Sequence, residues 1–89
     1  MRAVISVIGK DRVGIIAGVT RILAEANVNI LDISQTIMQE IFTMVMLVDI
    51  SQANIPFSRL SEELKDLGAK LELSIQIQHE DIFNSMHRI

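Results

Sequence analysis

The 89-residue sequence predicts an α+β fold in the order strand, helix, strand, strand, helix, strand, with a short helix at the C-terminal end. Apolar runs of strand length alternate with two stretches whose apolar residues recur at three- and four-residue intervals. Asn27 and Gly68 stand where those two stretches should end as helices. The two middle runs are separated by only Gln39-Glu40, which permits nothing but an antiparallel hairpin. Two βαβ halves in this order make the split arrangement of a ferredoxin-like βαββαβ sandwich: a four-stranded antiparallel sheet with both main helices on one face. A chain this short builds one core, so residues 1–89 are expected to form a single domain.

In residues 3–8, Ala3, Ile5 and Val7 alternate with Val4, Ser6 and Ile8, and apolar residues on both faces predict a central strand. Ile15, Ile16, Val19, Ile22, Leu23 and Ala26 mark one buried helical face, with Arg21 and Glu25 outward. Asp11 is the expected N-cap of that helix, and Asn27 the left-handed residue that ends it. Residues 28–38 are rich in β-branched side chains and lack a helical stripe, which predicts a long strand with room for a bulge. Residues 41–50 form the second arm of the hairpin, with Val45 and Leu47 on one face and Phe42, Met44, Met46 and Val48 on the other. After a polar loop over 51–54, Phe57, Leu60, Leu64 and Leu67 predict a helix opened by Pro56 and closed by Gly68. Leu71, Leu73, Ile75 and Ile77 alternate with Glu72, Ser74, Gln76 and Gln78, a strand with one buried and one wet face. From Glu80 onward, Ile82, Phe83, Met86 and Ile89 repeat at helical spacing and predict a short helix that covers a sheet edge or docks on a neighbour.

Composition narrows the function classes. An apolar fraction of 49% is generous for so small a domain and predicts that a second copy covers part of the surface, as in a homodimer. The chain has no cysteine, which excludes disulfides and thiolate metal sites and fits a reducing cytoplasm. A net charge of -3 and only three aromatics, Phe42, Phe57 and Phe83, argue against nucleic acid as a partner. No apolar run approaches the roughly 18 residues a membrane span requires, and the N-terminus lacks the pattern of a leader. His79, Glu80, Asp81 and His87 lack a chelating spacing, so neither metal nor cofactor is expected. No Ser, Cys or His constellation suggests a nucleophile, so no enzymatic activity is expected.

The segment Gly9-Lys10-Asp11-Arg12-Val13-Gly14 joins the first strand to the first helix and is the place for a small ligand. A helix start exposes unpartnered N–H groups at the positive end of its dipole, which suits a carboxylate, and Gly14 leaves room for close approach. Asn27-Val28-Asn29-Ile30 puts an amide at the start of the next strand. The fold hosts metal chaperones, RNA binders, small phosphatases and ligand sensors, so residues must choose among them. A chaperone needs Cys-x-x-Cys, and an RNA binder needs aromatics on its first and third strands. An acylphosphatase-like site needs an arginine and an asparagine, which Arg12 and Asn29 mimic, but the loop is short and Asp11 repels phosphate.

Among ligand sensors the sequence resembles the ACT domain over nearly its whole length. The family's regulatory loop often reads Asp-Arg-Pro-Gly before an aliphatic pair, as Asp11-Arg12-Val13-Gly14-Ile15-Ile16 does here with valine for proline; Asn27-Val28-Asn29-Ile30 matches a Gly-(Val or Ile)-Asn-Ile stretch. Asp32-Ile33-Ser34-Gln35-Thr36 resembles small stand-alone ACT proteins related to regulators of the glycine cleavage system. Gly9 stands where some serine-binding ACT domains carry a histidine. The resemblance implies an amino acid held between two ACT domains, by a loop acid of one chain and a strand-start asparagine of the other. It carries over to Asp11 and Asn29, with backbone groups of Arg12, Val13, Gly14 and Ile30 as neighbours. Asp32, two residues beyond Ile30, is expected on the same strand face, bordering the pocket or facing water at its rim. Each residue also has a plain role: Asp11 as a cap, Gly14 in close helix packing, Asn29 on loose backbone groups, Lys10 and Arg12 as solvated charges. The expected function is a non-enzymatic, amino-acid-responsive homodimer acting in trans on a protein partner; the competing one is a constitutive dimerisation module without ligand.

Overall fold

The computed structural model describes residues 1–86, with elements in the predicted order: β1 (Arg2–Lys10), α1 (Ile15–Glu25), β2 (Asn29–Met38), β3 (Ile41–Asp49), α2 (Phe57–Leu71), β4 (Leu73–His79) and α3 (Glu80–Met86). The sheet order is β2-β3-β1-β4, and every neighbouring pair is antiparallel. Strand β1 is central, as its two apolar faces require, and β2 is an edge. Ile89 and His87 of the predicted tail lie outside the described residues.

The core fills the space between one sheet face and the two main helices. Ala3, Ile5, Val7, Phe42, Met44, Met46, Val48, Leu73, Ile75 and Ile77 face Ile15, Val19 and Leu23 of α1 and Leu60 and Leu64 of α2. Burying each of the larger side chains contributes about 1.5–3 kcal/mol. On the opposite face the register aligns Val4 with Leu47, Ser6 with Val45 and Ile8 with Thr43. Val4 points away from α1 and α2 yet is only 7% exposed, because α3 lies against β1 and β4. Glu80 anchors α3 by accepting from Arg2 Nε at 3.0 Å and from Arg2 Nη2, contacts that raise the guanidinium pKa above its ordinary value.

Three local expectations are corrected. Asp11 does not cap α1: Gly14 does, with φ 96° and no side-chain hydrogen bond. A Cβ on Gly14 would meet nothing within 4 Å, so glycine is needed for its left-handed backbone and not for close packing. Helix α2 runs through Gly68 to Leu71, leaving Leu71 out of the strand, and ends at Glu72, whose φ of 59° is left-handed. Gly68 serves packing instead, since a Cβ there would lie 2.7 Å from the Leu73 carbonyl oxygen.

Asn27 ends α1 in the left-handed region, as predicted, with φ 59°. The loop before α2 completes that terminus: Asn54 donates from its backbone N–H to Ala26 O at 3.0 Å and from Nδ2 to Glu25 O at 2.9 Å. Carbonyls left without helical partners are thereby satisfied, and the end of α1 is fixed just before β2 begins.

Candidate functional site

The loop that follows β1 is held at two points. The Asp11 backbone N–H donates to Glu40 O at 2.8 Å, tying the loop to the β2–β3 hairpin. Arg12 Nη1 donates to Leu71 O at 3.2 Å, placing its guanidinium on the carbonyl end of α2. Lys10, Asp11, Arg12, Leu71 and Glu72 line an open depression of about 380 Å³.

Beyond the loop, α1 starts with no side-chain cap and no acidic residue in its first turn. Its leading N–H groups are therefore available to an external acceptor. Gly14 is exposed, and Val13 projects almost wholly into solvent at 98% exposure. Among the described residues no hydrogen bond from this chain reaches the Asp11 carboxylate.

Asn29 and Ile30 occupy the other end of the sheet. Asn29 is registered with Asp49, whereas Lys10 and Met38 are both registered with Ile41, eight strand residues away. At 3.4 Å per residue the two groups are about 27 Å apart. One protomer thus gathers Asp11, Arg12, Val13 and Gly14 at the hairpin end, and Asn29, Ile30 and Asp32 at the opposite end.

The bulge allowed for in β2 is present and corrects the expectation for Asp32. Ile30 pairs with Val48, but Asp32 pairs with Leu47, because Leu31 is an extra residue between them. Ile30 therefore faces the helices and Asp32 the opposite side, together with Asn29. Asp32 Oδ1 accepts from the Ile33 N–H at 2.9 Å. Beside Asn29, the Asp49 carboxyl is held below its ordinary pKa, chiefly by the Ser51 hydroxyl and next by the Ser51 backbone N–H.

None of the ten residues of β2 is buried. Ile33 and Ile37 share the helix-covered face by register with Met46 and Phe42, yet both are exposed because the helices do not reach this edge. Period-two alternation after the bulge was the signal for these two residues, and it becomes readable only once the bulge is located.

Residues 2–78 match the family model described as ACT domain. The chain belongs to the ACT domain family. Such domains are typically regulatory, ligand-binding modules. A UPF0237 protein of Clostridium acetobutylicum is 62% identical over 89 residues, with the whole of both chains covered. A solved ACT domain protein from Streptococcus pneumoniae is 44% identical with a TM-score of 0.79, covering 93% of each chain. A solved candidate glycine cleavage system transcriptional repressor is 29% identical with a TM-score of 0.73, over 86% of this chain and 44% of its own. The loop 10–14 and the strand start at Asn29 both fall inside the stretch matched to the ACT domain.

Proposed function

We propose that this ACT domain is a non-enzymatic, amino-acid-responsive module that works as a homodimer joined along β2 and acts in trans on a protein partner. The observation that carries the reading is the separation of the two half-sites along an unpaired edge strand. Antiparallel pairing of β2 with β2 of a second copy brings the Asn29 end of one chain to the hairpin end of the other. Asp11 is hydrogen-bonded to that hairpin. The same pairing covers Ile33 and Ile37 and removes the exposed edge.

The chemistry suits an α-amino acid. Asp11 accepts from the ammonium, while the Asn29 amide of the second copy and the uncapped N–H groups of α1 donate to the carboxylate; Arg12, Val13 and Ile30 contribute backbone groups and Asp32 borders the rim. Each charge-assisted bond is worth roughly 1.5–3 kcal/mol net, so three or four of them, less the cost of association, give micromolar to millimolar affinity. A ligand that bridges two chains shifts the population of one dimer geometry, and that shift is the signal passed to a partner.

Calorimetry with the common amino acids on the full chain tests the reading. At least one should bind, and Asp11→Ala and Asn29→Ala should each weaken it tenfold or more while leaving the thermal melt unchanged. Absence of binding at millimolar ligand, or binding indifferent to both substitutions, overturns it. The exposed apolar edge of β2 also supports a second reading, a constitutive dimer without ligand. Under that reading sedimentation gives a dimer that no amino acid alters.

A further inference from the structure

The sheet face turned away from α1 and α2 is divided in two. Helix α3 lies against β1 and β4, and among the described residues this face of β2 is exposed while that of β3 is half-exposed. Ser34, Thr36, Thr43 and Val45 form the middle of this strip, with Ile8 beside Thr43 and with Met38 and Ile41 toward one end. Ile8 is 50% exposed and Met38 69%. Among the described residues no charged side chain lies in that middle. Lys10 stands at the hairpin end, and Asp32 and Asp49 stand at the opposite end.

We infer that this strip is the docking surface for an amphipathic helix of a partner protein, laid along β2 and β3 beside α3. The dimensions agree: two strand spacings give a width of about 10 Å, the diameter of a helix, and the length of about 27 Å takes some 18 helical residues. Charge sets the direction. A helix carries partial positive charge at its N-terminus and negative charge at its C-terminus, so its N-terminus belongs at Asp32 and Asp49 and its C-terminus at Lys10. Asp49 is already shared by the Ser51 hydroxyl and N–H and by the Met1 ammonium at 3.7 Å, whereas Asp32 accepts from the neighbouring Ile33 N–H at one oxygen and keeps the other for the helix, so Asp32 is the principal contact. The chain's own α3 demonstrates that the face accepts a helix, since it covers Val4 on the neighbouring half. A strip of this size suits a weak, reversible contact, as a regulator acting in trans requires. The inference supplies a surface for the proposed partner but depends on neither the amino-acid site nor the β2 dimer.

The test is NMR on the isotope-labelled full chain with a synthetic 18-residue amphipathic helix as probe, its leucines at i, i+3, i+4 and i+7. Shifts should be confined to Ile8, Ser34, Thr36, Thr43 and Val45. A nitroxide at the peptide N-terminus should broaden Asp32 and Leu47, and one at its C-terminus should broaden Lys10 and Ile41. Val45→Lys and Ile8→Lys, both at exposed positions, should each weaken binding at least tenfold with the fold unchanged. No shift at millimolar peptide, shifts on α1 and α2, or affinity indifferent to both substitutions overturns the proposal. Concentration-dependent shifts of the same residues without peptide also overturn it, because a second copy then covers the face. Amino-acid calorimetry on the same samples reports separately on the ligand site.

Discussion

The Asp11 backbone N–H donates to the Glu40 carbonyl at 2.8 Å, so the loop that opens α1 is held by the hairpin that ends β2. That hairpin is tight, with Met38 registered to Ile41 and Gln39 at φ 58°. A left-handed backbone costs a side-chain-bearing residue roughly 1–2 kcal/mol, partly offset against glycine by the greater entropy glycine loses on folding. Gln39→Gly should therefore stabilise the protein by about 0.5–1 kcal/mol. For a domain of this size the thermal midpoint should rise by about 2–8 °C. A lowered midpoint would mean that the Gln39 side chain contributes more than its backbone strain costs.

Gly14 and Gly68 should respond to alanine for opposite reasons. Gly14→Ala places a Cβ in open space but on a left-handed backbone, and after the same entropic offset should cost about 0.5–1 kcal/mol. Gly68→Ala gains helix propensity but drives a Cβ to 2.7 Å from a backbone oxygen of β4, and should cost about 1–3 kcal/mol. Denaturant midpoints compare the two. Equal stability of Gly68→Ala and the natural chain would show that α2 can move off β4 at little cost.

The order of elements was legible because each strand and helix carries its own period, and the Asn27 and Pro56 boundaries were legible because those residues have few other uses. The Gly68 boundary was misread since glycine can end a helix or let one pack closely, and only the position of the Leu73 carbonyl separates the two. Asp11 was misread as a cap because Gly14, with no side chain to offer, caps by conformation alone. For the proposed site, the sequence singled out both segments, but their separation depends on strand register, which no local pattern encodes. Leu31 illustrates the limit: one inserted residue sends Ile30 and Asp32 to opposite faces, and nothing in its chemistry marks it as a bulge.

Arg2 and Glu80 join α3 to the sheet at a solvent-exposed site, so the pair adds little to global stability. Its effect should be local. Arg2→Ala should leave the denaturation midpoint nearly unchanged while α3 amides and Val4 exchange faster with solvent. Global loss of protection would show instead that α3 is part of the cooperative core.

Asp49 should make the protein acid-sensitive in a defined direction. Its carboxyl is held below the ordinary value of 3.8, first by the Ser51 hydroxyl and then by the Ser51 N–H, while the Met1 ammonium is a lesser cause. A carboxyl with a depressed pKa binds fewer protons folded than unfolded, so its contribution is complete above the unfolded value near 4 and disappears as pH falls through the folded one. Denaturant midpoints measured from pH 7 down to pH 2 should fall more steeply for the natural chain than for Asp49→Asn, with the separation between the two curves constant above about pH 4 and narrowing only below it. Ser51→Ala should remove most of that difference. Because hydrogen bonds and not distant charges are the main cause, added salt should leave the separation largely intact. A separation that vanished in salt would instead make the Met1 ammonium the dominant partner.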